Sequence, residues 1–275
     1  MSSFSRTTVR MLLLIAALIA STARADIVCH WEDHFSTTER HVLKTWITRT
    51  LAAMEDLVAP LPFDVHIYFY RLEGRGEPVP WANTRRGPRQ GINFHVDPAF
   101  SPDAFYADWT AAHELSHLLI PALGEDNSWF AEGFASYMQY QILQHMGMIT
   151  KKEVTAAYQK RMQRAEARFP LKAEAFVSTA RSLRRAGDYP TYYWGGAVYF
   201  LRADTALRLR TGGTLSDLVS TYVDCCRQRD PRLSNLVEHF DRIAGESLFG
   251  DLLLEFNKGP GFPKYRAALR TLAGD

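Results

Sequence analysis

The sequence predicts an α+β fold: a small sheet with one helix before about residue 100, then a larger helical lobe. Three observations carry this. Strand-like stretches occur only early, at Ile27–Trp31, Phe63–Tyr70 and Gly91–Val96. Helix-start signals and 3.6-residue apolar spacing dominate after Ser101. Between the two regions lies Trp109–Ile120, apolar on nearly every side except for His113, Glu114 and His117. A helix that is apolar all round is a buried one.

Taken in order, residues 1–25 read as an export signal. Arg6 and Arg10 precede the apolar run Met11–Ala20, and Ala23-Arg24-Ala25 is a small-x-small cleavage site. Cleavage is expected after Ala25, with export to the periplasm or the exterior. That leaves a domain of residues 26–275, split into a 26–100 α+β lobe and a 101–275 helical lobe. The apolar run is shorter than the about 20 residues of a membrane span, and no second stretch is long enough.

Ile27–Trp31 suits a short strand. The Cys29–His34 cluster reads as a solvated turn, because its spacing matches no standard metal site. Ser36-Thr37-Thr38-Glu39 is a capping box, and a helix follows to about Val58 with Leu43, Trp46, Ile47, Leu51 and Met54 at helical spacing. Pro60 and Pro62 stop it. Phe63–Tyr70 alternates and is rich in β-branched and aromatic residues, so it reads as a strand. Arg71–Arg89 holds six glycines and prolines and five arginines, and reads as a surface loop. Its arginines could be solvated or could meet a substrate carboxylate. Gly91–Val96 is a strand with Ile92, Phe94 and Val96 on one face and Asn93 and His95 on the other.

Ser101-Pro102-Asp103 starts the helix that runs into the apolar stretch. Pro121 ends it, Gly124 permits a reversal, and Asn127 or Ser128 can cap a second helix that runs to about His145 and closes at Gly147. Gly133 inside that helix costs about 1 kcal/mol relative to Ala; close approach of the two helices is a reason to keep it. Further helices are expected from the Thr150-Lys151-Lys152-Glu153 capping box to about Arg168, and from about Lys172 to Arg185. After a turn at Gly187–Pro190 come Thr191–Arg210, Leu215–Arg227, Leu233–Ala244 and Leu248–Phe256.

Composition adds exclusions. The 275 residues are 47% hydrophobic and 23% charged, an ordinary globular balance. Without the three arginines of residues 1–25, 29 of the 32 basic residues remain against 30 acidic ones, a net charge of −1. A near-neutral chain gives no charge-based case for nucleic acid or an anionic membrane. Of three cysteines, Cys29 could pair with Cys225 or Cys226, or all three could be free thiols. Adjacent cysteines lack the spacing of a zinc site.

The chemistry sits in His113-Glu114-Leu115-Ser116-His117. Two histidines four apart on a helix point to one side, one turn apart, and can grip one ion. Glu114 emerges about 100° round the helix, where it can reach a water at that ion. A catalytic zinc takes three protein ligands and keeps a fourth position open. Glu132, with fourteen residues between it and His117, can supply the third. The bland alternative makes the histidines hydrogen-bonded core residues and Glu132 a surface carboxylate. A carboxylate so placed on a second helix favours Zn2+ binding by His113, His117 and Glu132.

His113–His117 followed by Trp129-Phe130-Ala131-Glu132-Gly133-Phe134-Ala135-Ser136-Tyr137 resembles the gluzincin peptidases. The wording is similar to the membrane alanyl aminopeptidase, glycyl aminopeptidase and peptidase-MA-like families. The resemblance spans roughly Gly91 to Val219. It implies a zincin-like fold with the zinc helix at the junction of the lobes, and hydrolysis of a peptide or protein substrate. It also implies His113, His117 and Glu132 as zinc ligands and Glu114 as general base. The strand before the zinc helix, here Gly91–Val96, would be an edge strand that binds substrate backbone. Where the alanyl aminopeptidases carry Gly-x-Met-Glu-Asn, this chain has Gly91-Ile92-Asn93-Phe94-His95, without that carboxylate. Tyr193, three residues before Gly196, matches the family tyrosine that stabilises the tetrahedral intermediate; Tyr192 is the alternative, and both rings could simply pack. A zinc hydrolase for another bond and a non-catalytic zinc module remain the competing functions. The intact Glu114 argues against the module.

Overall fold

Four strands form one sheet in the computed structural model, which describes residues 26–170, 174–227 and 230–274. The export signal and its cleavage site lie outside the described residues. The strands are β1 (Ile27–Trp31), β2 (Val65–Arg71), β3 (Trp81–Arg85) and β4 (Gly91–Val96), in the order β1-β2-β4-β3. β1, β2 and β4 run parallel, and β3 is antiparallel to β4. Alternation decides which face is inside: Val65, Ile67, Phe69, Ile92, Phe94 and Val96 are all fully buried. They pack beneath α1 (Thr37–Leu57), whose Trp46 meets Phe94 with ring centroids 5.2 Å apart. The Ser36–Glu39 capping box starts α1 as the sequence predicts.

The stretch between Arg71 and Arg89 is not all loop. Its dense Gly, Pro and Arg content hides β3, a strand that exists because β4 pairs with it, with Asn93 Nδ2 donating to Asn83 Oδ1 at 3.0 Å. Gly91–Val96 is therefore an inner strand, and the edge on that side of the sheet belongs to Trp81–Arg85.

Ser101 caps only α2 (Pro102–Ala107). The backbone becomes extended at Asp108, whose carboxylate accepts from Thr110 N–H at 2.7 Å, and α3 (Thr110–His117) starts afresh. All eight residues of α3 are buried. Gly124 makes the reversal with φ of 72°, and a 3-10 turn over Glu125–Asn127 leads into α4 (Ser128–His145). Neither Asn127 nor Ser128 caps α4; the Ser128 hydroxyl instead donates back to Glu125 O at 2.6 Å.

The remaining helices are α5 (Lys151–Arg168), α6 (Phe176–Arg185), α7 (Tyr189–Thr211), α8 (Leu215–Cys225), α9 (Leu233–Ala244), α10 (Leu248–Lys258) and α11 (Arg266–Ala273). Lys172, the expected start of α6, lies outside the described residues. Asp188 caps α7, which begins at Tyr189, two residues before its expected start, with Pro190 in the first turn, and α11 was not foreseen. α4 and α7 meet glycine to glycine. A Cβ on Gly133 would lie 2.3 Å from the Gly196 backbone, and one on Gly196 would lie 2.3 Å from Trp129 O. The close partner of Gly133 is thus α7 rather than α3. Asp204 of α7 ties three helices: it accepts from Tyr137 Oη and Leu215 N–H at 2.6 Å each and from Arg208 Nε at 2.8 Å. Cys225 and Cys226 are bonded to each other and Cys29 is a free, half-buried thiol, so neither expected cysteine arrangement holds. No helix among the described residues is long and apolar enough to cross a membrane.

Candidate metal centre

Helix α3 does what the four-residue spacing predicts. It places the His113 and His117 rings on one side with centroids 5.0 Å apart. Glu132, in the second turn of α4, faces them: its Oε2 is 3.2 Å from His113 Nε2 and 3.5 Å from His117 Nε2. One ligand atom from each of the three lies within 4.8 Å of the others. The histidines are 3% and 7% exposed. Gln139, two turns further along α4, sets the His113 ring. Its Oε1 accepts from His113 Nδ1 at 2.9 Å, which leaves Nε2 directed at Glu132.

The electrostatics follow from the crowding. Burial disfavours a charged Glu132, but the facing imidazoles outweigh it and hold the carboxyl well below the usual range. Burial likewise disfavours protonated His113, but its hydrogen bond to Glu132 and the charges of Glu132 and Glu114 raise its pKa. Two buried imidazoles and a half-buried carboxylate, converging from two helices, are a donor set that fits a divalent metal such as zinc, with one side open to a cleft.

That cleft, about 710 Å³, is lined by His113, His117 and Glu132, by Glu114 and Tyr193, and by β3. Glu114 is 9% exposed and accepts from Thr84 Oγ1 at 2.9 Å. Thr84 had no signal in the sequence, because its strand was hidden. Arg86 follows on the same segment and is neither solvated nor free for a carboxylate. It donates to His117 O at 2.6 Å and Ile120 O at 3.1 Å, closing the end of α3. Burial there, with Arg227 nearby, lowers its pKa to about 10. Arg227 Nε adds a bond to Leu118 O at 2.9 Å.

The two tyrosines part company. Tyr193 lies nearly parallel to His113, with centroids 5.8 Å apart, at the cleft wall. Burial and the charges of Glu132 and Glu114 push its pKa far up, so it holds its proton as a donor. The Tyr192 hydroxyl bonds Ser128 Oγ instead, and burial pushes its pKa up to about 12.

A family model described as M61 glycyl aminopeptidase matches residues 122–198, the stretch that holds Glu132 and Tyr193. No curated protein matches the chain in sequence. Among solved structures, an M1 zinc metallopeptidase from Deinococcus radiodurans is 16% identical with a TM-score of 0.53, over 84% of this chain and 46% of that one. A mutant of the M1 zinc metallopeptidase from the same organism, bound to a Tyr-Ser-Ala substrate, is 16% identical with a TM-score of 0.54, over 79% and 44%. A two-domain M1 zinc metallopeptidase mutant bound to L-arginine is 13% identical with a TM-score of 0.56, over 87% and 49%. At these identities the likeness is one of fold, and the chain spans less than half the length of each. The chain thus shares a segment with the M61 glycyl aminopeptidase model and its fold with M1 zinc metallopeptidases.

Proposed function

We propose that this chain is a zinc metallopeptidase that hydrolyses peptide bonds, with residues 26–275 as the peptidase domain, exported after cleavage behind Ala25. The observation that carries the reading is the convergence of His113, His117 and Glu132 on one point, with Glu114 beside them at the wall of an open cleft. His113 and His117 of α3 and Glu132 of α4 would hold the ion. A zinc ion there supplies Lewis acidity, polarising a carbonyl and making water a competent nucleophile near neutral pH.

The chain's own residues supply the rest. Glu114 takes the proton from the attacking water and returns it to the leaving amine. Its bond from Thr84 fixes one carboxylate oxygen and leaves the other for that water. Tyr193 donates to the oxyanion as charge develops. The free edge of β3 offers backbone groups along which an extended peptide can pair. The peptide bound to the Deinococcus radiodurans relative supports a peptide substrate here.

Digestion of a mixed peptide library by zinc-loaded protein tests the reaction, with Glu114→Gln as the control. Cleavage by the wild type that falls about 100- to 10,000-fold in the variant is the expected result. An uncut library would refute it. N-terminal sequencing of protein from the exported fraction should begin at Asp26; soluble cytoplasmic protein beginning at Met1 would count against export.

A further inference from the structure

Among the described residues, six large apolar side chains are exposed: Trp81, Trp109, Met148, Tyr189, Leu209 and Leu254. Every aromatic one of the six, Trp81, Trp109 and Tyr189, borders the metal cleft. Large rings left in water around a concave site mark a place where an apolar ligand is bound.

Two of these rings have a defined relation to the chemistry. Trp109 lies four residues before His113 and meets its ring edge-on, with centroids 5.4 Å apart. Tyr189 lies four residues before Tyr193, with centroids 6.0 Å apart. Since His113 and Tyr193 are themselves 5.8 Å apart, four rings run in sequence: Trp109, His113, Tyr193, Tyr189. The inner two belong to the proposed reaction. The outer two are 40% and 49% exposed and stand four residues ahead of them, Trp109 just before α3 and Tyr189 at the start of α7.

Charge narrows the occupant. Arg86 is the cation at the cleft, and it is committed to the carbonyls at the end of α3. The carboxylates at the cleft are Glu77, Glu114 and Glu132. The three carboxylates exceed the two charges of a bound divalent ion, and Arg86 faces the α3 carbonyls, so an acidic side chain gains no free counter-charge there.

We infer that Trp109 and Tyr189 form side-chain subsites that select peptides with a large apolar residue, aromatic above all, beside the scissile bond, and that the cleft rejects acidic residues there. This rests on the peptidase reading for its placement, and the test separates the two. Zinc-loaded Glu114→Gln protein is titrated calorimetrically with alanine hexapeptides that carry one Phe, Leu, Gly, Lys or Asp at each position in turn. Phe at one or more positions should bind about 10-fold or more tighter than Gly, with Asp weakest, in the range a hydrophobic pocket discriminates. Adding Trp109→Ala or Tyr189→Ala should reduce the Phe-to-Gly ratio to about 3-fold or less. Tyr189 is exposed at the start of α7, so its variant tests the inference even if loss of Trp109 disturbs α3. Equal binding across the series, a preference for Lys or Asp, or a Phe preference unchanged in both variants overturns the inference. Library digestion by the wild type gives the second readout. Cleavage without an apolar preference sinks the subsites and leaves the peptidase. A Phe preference in binding that the variants abolish, with no cleavage by the wild type, sinks the peptidase and leaves the subsites.

Discussion

Tyr192 and Tyr193 are neighbours that point about 100° apart on α7, and this alone sends one hydroxyl to Ser128 and the other ring to His113. Tyr193→Phe should lower kcat by about 100-fold with little change in KM, because the lost bond would form only in the transition state. Tyr192→Phe should leave turnover within a few-fold; the reverse pattern would move the oxyanion role to Tyr192. Gln139 is the other residue with a sharp consequence. Gln139→Leu removes the acceptor that sets the His113 ring, so zinc affinity, measured by competition with a chelator, should fall about 10- to 100-fold. Unchanged affinity would mean that the ring is held without it. The shared direction of His113 and His117 was legible in the sequence because a four-residue spacing on a helix fixes it locally. The supports of the site were not. Gln139, Thr84 and Arg86 lie 26, 30 and 31 residues from the groups that they bond, and only folding reveals such pairings.

Among the elements, the α4–α7 contact is the tightest. Ala at position 133 would gain the about 1 kcal/mol that Gly forfeits in a helix. Its Cβ, however, would sit 2.3 Å from backbone that cannot move aside. The clash wins, so Gly133→Ala and Gly196→Ala should each cost about 1–3 kcal/mol or more in urea unfolding. A stabilised Gly133→Ala would show that the helices pack further apart. Asp204 joins α7 to α4 and α8, and Asp204→Ala should cost about 3–5 kcal/mol by leaving buried donors unpaired. Elements with their own start signal were readable: the boxes at Ser36 and Thr150 gave α1 and α5 nearly to the residue. β3 was not, because its pairing with β4 makes it a strand. The start of α3 moved because the chain is extended at Asp108, whose carboxylate accepts from the N–H of Thr110, the first residue of the new helix.

At the scale of the molecule, strands before and helices after α3 made the α+β class legible, while strand order was not. That order matters, because it puts β3 rather than β4 at the cleft and brings a sheet edge, two histidines, a carboxylate and a tyrosine together from β3, α3, α4 and α7. The proposed hydrolysis depends on the metal. Elemental analysis of purified protein tests it most directly, with His113→Ala/His117→Ala and Glu114→Gln measured beside the wild type. One zinc per chain is expected in the wild type and in Glu114→Gln, and none in the double histidine variant. Full zinc content in the double variant, or a wild type that takes up no zinc, would contradict it.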